Sequence, residues 1–155
     1  MNADPQFART RVRALLPALE EAGISPKRIA DAAAHLARAR RALEHETAAF
    51  LADHCRFANG GALFDGDALA RLSPELGLRA LARMLAKVSG ESYRPRFERL
   101  ERLFHAIVTG ELGGGATLLG CRIAPVPRRY AAFGKGSLAI ARETGRRGTK
   151  QRAGV

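Results

Sequence analysis

Cysteine is scarce in this 155-residue sequence: Cys55 and Cys121 are the only two, and neither stands in a spacing that suits a metal ion. No disulfide framework is expected, and both thiols are expected to be reduced and structural. No apolar run approaches the roughly 18 residues of a membrane span. Asp4 and three arginines occupy the stretch where a signal peptide would be apolar. The chain therefore reads as soluble and cytoplasmic, with no membrane partner. Acidic residues are also in short supply, 15 against 26 Lys and Arg, for a net charge of +11. The shortage is greatest at the end, where residues 121–155 hold nine basic side chains and only Glu143. A polyanion is the natural partner of such a field, with RNA, DNA and an anionic surface all allowed by charge alone. Twenty-two of the 26 basic residues are Arg, which a GC-rich genome would also favour, but that bias does not explain the asymmetry along the chain.

Catalytic motifs are missing as well. Gly113–Gly115 and the run Gly134-Lys135-Gly136-Ser137 invite a phosphate-loop reading, but the Walker pattern needs G-x-x-x-x-G-K-[ST] and here Gly136 follows Lys135. The triple glycine reads instead as a flexible lead into a strand. No Ser-His-Asp or Cys-His pairing has a supporting local motif, and Asp65 and Asp67 flank a glycine in a turn. His35, His45 and His54 are ten and nine residues apart, which scatters them around a helix, so no metal site is expected.

What is present is a chain with 46% hydrophobic residues, long enough for one domain with a real core, or one plus a small annex. Asp4-Pro5 signals a helix start, with Val12, Leu15, Leu16 and Leu19 on one face, and Gly23 stops it. Ser25-Pro26 starts a second helix, in which Ile29, Leu36, Leu43 and Phe50 recur every seven residues to about Cys55. Such a rod is expected to lie against other helices. Asn59-Gly60 marks a type I′ hairpin, and Asp67 begins a short helical turn. Ser73-Pro74 caps a helix whose core face is Leu78, Leu81, Leu85 and Val88, ending at Gly90. A further helix begins near Arg94-Pro95 and buries Phe97, Leu100, Leu103, Phe104 and Ile107, with Glu98 and Arg102 four apart on its polar face. After Gly110 the helical period stops, and two or three short strands are read between about 116 and 142. The predicted fold is α+β, mainly long antiparallel helices over roughly 5–22, 26–55, 74–89 and 95–109 with a small C-terminal β unit. The last dozen residues have nothing to bury and read as a basic disordered tail.

Three segments taken together resemble a known family. They are Asn2 with Arg9-Thr10-Arg11-Val12-Arg13, then Tyr93-Arg94-Pro95-Arg96 leading into RLERL, then Leu119-Gly120-Cys121-Arg122-Ile123 followed by Ala139-Ile140-Ala141-Arg142-Glu143. Their order and spacing resemble the post-catalytic portion of tRNA(Ile)-lysidine synthase, over nearly the whole of residues 2–143. The resemblance implies an ATP-dependent ligase that adenylates the wobble cytidine of an isoleucine tRNA and lets lysine displace AMP. The family's S-G-G-x-D-S pyrophosphate loop, and the α/β domain that carries it, are missing here, so the chain looks like a truncated gene product. Its start departs from the family's last catalytic motif: Met1 replaces a hydroxyl residue, Thr10 an Asn and Val12 an Ile, while Arg9 and Arg13 match.

On this resemblance residues 1–22 are the last helix and motif of the catalytic domain, 23–110 a helical domain, 111–143 a small β unit and 144–155 the tail. Asn2, Arg9 and Arg13 would contribute to catalysis only with the missing domain. Arg94, Arg96, Arg122, Arg128, Arg129 and Arg142 would meet RNA phosphates. ATP and Mg2+ are implied for the full-length enzyme and not for this chain. The implied partner is the isoleucine tRNA with a CAU anticodon, with room left for a homodimer. A free-standing basic RNA- or DNA-binding module is the competing reading, and a helical interaction protein a third.

Overall fold

The computed structural model describes residues 5–91, 93 and 95–143, with side chains from Thr10 onward. Asn2, Arg94 and the tail from residue 144 lie outside the described residues, as does the side chain of Arg9. The chain divides into two compact units, 1–44 and 45–155.

The first unit contains helix α1 (Pro5–Glu21) and the start of helix α2 (Pro26–His54). Between them Gly23 takes φ +78°, and the Gly23 and Ile24 N–H groups donate to the Glu20 and Leu19 carbonyls. That pair of bonds is a Schellman ending, which glycine adopts without a Cβ penalty. Ser25 Oγ accepts from the Arg28 N–H at 3.3 Å and caps α2. The heptad stripe on α2 is less covered than its spacing predicts. Ile29 and Leu36 are 43% and 68% exposed, Leu43 is half-buried, and only Thr47 and Phe50 are buried. The expected packed rod is therefore found only toward the C-terminal end of α2. A unit of this length cannot bury a long stripe by itself, and on α1 Val12 and Leu15 are themselves 58% exposed.

The second unit holds the core. Strands β1 (Cys55–Ala58) and β2 (Gly61–Asp65) form a hairpin whose turn residues Asn59 and Gly60 have φ of 51° and 74°, the type I′ signature. Helices α3 (Gly66–Ala70), α4 (Pro74–Ser89) and α5 (Phe97–Val108) follow. Next come β3 (Ala116–Leu118), β4 (Cys121–Pro125), a 3-10 turn (Arg128–Tyr130) and β5 (Ser137–Arg142). All five strands make one antiparallel sheet in the order β1-β2-β5-β4-β3. The fold is therefore α+β, and the early hairpin shares its sheet with the late strands.

Alternation along the strands sorts the faces. Ala62 and Phe64 on β2, Cys121 and Ile123 on β4, and Leu138 and Ile140 on β5 are buried toward the helices. Across the sheet Ile140 is paired with both Ala62 and Ile123. Helix α4 crosses β2, β5 and β4, and α5 lies against α4 and β3. Leu81, Met84 and Leu85 of α4 are fully buried, so α4 is the central core helix. Its N-terminus follows Ser73-Pro74, and its C-cap Gly90 takes φ +72°. No helix among the described residues is long and apolar enough to cross a membrane.

Candidate nucleic-acid interface

Because the core face of the sheet is closed by helices, charged side chains from β4 and from the loop before β5 are left on the other face or at the rim. Arg122 is exposed opposite Thr117 of β3, and its Nη2 donates to the Gly114 carbonyl at 2.7 Å. One side of its guanidinium thereby braces the triple-glycine loop. Arg128 and Arg129 are exposed on the 3-10 turn, and the Arg129 guanidinium lies 4.9 Å from the centroid of the Tyr130 ring. Tyr130 is 62% exposed, so a stacking surface remains beside two cations.

Arg142 stands apart from these. Its Nε donates to the Val88 carbonyl at 2.8 Å, and its guanidinium lies over Gly90, where an added Cβ would meet Nη2. A cation at the end of α4 satisfies one of the helix's last carbonyls and complements its dipole. The side chain read from sequence as a phosphate contact thus has a structural partner 54 residues away. Arg96 is exposed as the N-cap residue of α5, and Arg13 is exposed on α1.

Two arginines that the sequence reading did not assign to a ligand share a surface on α5. Arg99 and Arg102 are exposed and, with Leu103 and Ala106 of α5 and Thr117 and Leu118 of β3, line a shallow groove of about 380 Å³. The sequence places Glu98 and Arg102 four apart on this face, a spacing that supports a helix. In the structure Arg102 Nε makes a long contact of 3.4 Å with the Glu98 main-chain carbonyl. A helical projection holds the missed signal: residues three apart share a flank, so Arg99 and Arg102 lie side by side.

Several other ionisable groups serve the fold. Asp65 Oδ1 accepts from the Ala68 N–H at 2.9 Å to cap α3, and Oδ2 lies 3.7 Å from His54 Nδ1, whose ring stacks on Phe50. Burial pushes the Cys55 thiol up to about 11 against the opposing charges of Lys87 and Arg56. Burial also raises Cys121, with Arg142 opposing. Both thiols are therefore protonated and poor nucleophiles near neutral pH. Gly136 packs against the Asp67 carboxylate, which would repel a phosphate, so the Gly134–Ser137 run does not suit a nucleotide. Among the described residues no group of three or more His, Cys, Asp or Glu is placed to hold a metal ion.

Fold and surface together define an α+β protein with exposed arginines on α5, β4 and the 3-10 turn. No family model matches the chain, and no solved structure matches it either. Curated relatives do match. The tRNA(Ile)-lysidine synthase of Methylobacterium nodulans is 38% identical over 146 residues, covering 84% of this chain and 43% of that protein. The enzymes of the same name from Wolbachia pipientis wMel and Ruegeria pomeroyi are 30% and 32% identical, covering 94% and 73% of this chain. The chain belongs with the tRNA(Ile)-lysidine synthases, and it spans between about a third and two-fifths of the length of the first two of these relatives.

Proposed function

We propose that this chain is the part of a tRNA(Ile)-lysidine synthase that follows the catalytic domain, and that it positions the isoleucine tRNA with a CAU anticodon for ATP-dependent joining of lysine to the wobble cytidine. The observation that carries the reading is the extent of the match, which covers most of this chain but less than half of each relative. In this reading ATP and Mg2+ are held by residues outside this chain, and the protein works in the cytoplasm. Residues 1–22 complete the catalytic domain, with Asn2, Arg9 and Arg13 directed to its active site. Arg94, Arg96, Arg122, Arg128 and Arg129 meet tRNA phosphates, which fix register on the RNA without reading its bases. Arg142 is assigned to the end of α4, where it shapes the surface on which the others stand.

The test is a pair of activity measurements. The chain alone is expected to bind a CAU-anticodon tRNA transcript with strong salt dependence, yet to release no AMP from ATP and make no lysidine. Fused behind the catalytic portion of a relative, it is expected to support both reactions. Release of AMP dependent on tRNA from the chain alone would sink the proposal, and so would a chain with no affinity for the transcript.

A further inference from the structure

We infer that the groove between α5 and β3 is a seat for an RNA phosphodiester backbone, with Arg99 and Arg102 as its phosphate ligands. The inference rests on the tRNA-positioning reading and assigns it a second surface, away from the 3-10 turn. Both guanidinium groups are exposed, and neither makes an ion pair among the described residues. Their Cβ atoms, three positions apart on a helix, are about 5–6 Å from one another, so the two forks reach one phosphate or two successive ones. Glu98, four positions before Arg102, is its neighbour on the helix surface, yet among the described residues its carboxylate makes no ion pair with either arginine. Leu103 and Leu118, both buried, floor the groove and exclude water from one side of each contact. At the far rim Thr117 Oγ1 donates a long hydrogen bond of 3.5 Å to the Glu143 carboxylate.

A groove between a helix and an edge strand is also the shape that captures an extended peptide. Here the edge strand is only three residues, Ala116–Leu118. So short an edge offers too few outward N–H and C=O groups to template an added strand, whereas two exposed arginine forks with no carboxylate partner among the described residues suit phosphate. RNA is therefore the occupant.

The experiment titrates a fluorescent CAU-anticodon tRNA transcript with the 155-residue chain across a salt series, comparing it with R99A/R102A and R99K/R102K. Both variants change exposed side chains, and circular dichroism checks that their helix content is unchanged. The alanine pair is expected to bind about tenfold more weakly near 0.1 M salt. Its log–log salt slope should flatten by about one to two units. The lysine pair is expected to keep most of the slope while losing part of the affinity, because the charge stays and the planar fork goes. If the parent chain binds and R99A/R102A binds equally well across the series, the groove is not an RNA seat, although the wider reading stands. If the parent itself fails to bind, both fall. Loss of poly-L-glutamate binding in R99A/R102A with tRNA binding intact would make the groove a site for acidic peptides and overturn the inference.

Discussion

Arg142 shows how one side chain can change role between sequence and structure. In the sequence it is a cation in a stretch rich in cations, and a phosphate is its obvious partner. In the fold it closes the end of α4, donating to Val88 at 2.8 Å beside the left-handed Gly90. A partly buried, charge-assisted bond to a helix-end carbonyl contributes about 1 kcal/mol or somewhat more. Arg142→Met, which keeps most of the stem and removes the donors, is therefore expected to lower unfolding free energy by about that amount. Urea denaturation followed by circular dichroism reads it, and a variant as stable as the parent would show the contact to be idle. Leu119 is a second residue whose setting is unexpected. With Gly120 it forms the β3–β4 turn at φ of 54° and 66°, the same type I′ geometry as Asn59-Gly60 but with an apolar residue in the left-handed region. Its side chain packs against the core, which offsets the backbone strain.

At the scale of elements, α4 and α5 approach closely through Gly77. A Cβ on Gly77 would run into the ring of Phe104, which is 9% exposed. Helix propensity alone favours Gly77→Ala by about 1 kcal/mol. Overpacking of a well-filled core opposes it by about 1–3 kcal/mol, and a rigid aromatic ring with little room to shift places the cost near the upper end. The substitution is expected to destabilise by about 1–2 kcal/mol in thermal or urea unfolding. Pairing it with Phe104→Leu should recover part of the loss, because the two sites share one space and their effects are not additive. Additive losses in that cycle would mean the helices are not limited by this contact. The glycine is thus a packing residue in the first turn of a helix, and its neighbours in sequence give no hint of the ring it meets.

On the scale of the whole molecule, charge and topology act together. The sheet order places β5 at its centre, between the early hairpin and β4, so the loop before β5 and the 3-10 turn are held at a sheet rim. Arg128 and Arg129 stand there beside Tyr130, exposed and carried by a folded scaffold. Replacing both by Ala is expected to weaken tRNA binding and to flatten the salt dependence by about one to two units, at about −0.7 to −0.9 per phosphate. Preference among tRNAs should change little, since phosphate contacts carry no sequence information. Unchanged binding across a salt titration would move the RNA-facing surface of this chain to α5 and the other helices.

Much of this protein was legible in one dimension because the signals are local. Ser25-Pro26 and Ser73-Pro74 mark helix starts at Pro26 and Pro74, and Gly23 and Gly90 mark stops, since capping and left-handed turns depend on residues within a few positions. The Asn59-Gly60 hairpin followed from the same logic, and so did the family, whose three motifs can be read directly from the chain. Tertiary structure alone decided that β2 pairs with β5, more than seventy residues on, and that α5 brings Arg99 and Arg102 against β3. It also decided that Arg142 belongs to α4 and that the stripe on α2 is covered only toward its C-terminal end. Such pairings are chosen by which apolar faces meet and exclude water, a condition summed over distant segments that leaves no mark in the spacing of any one of them.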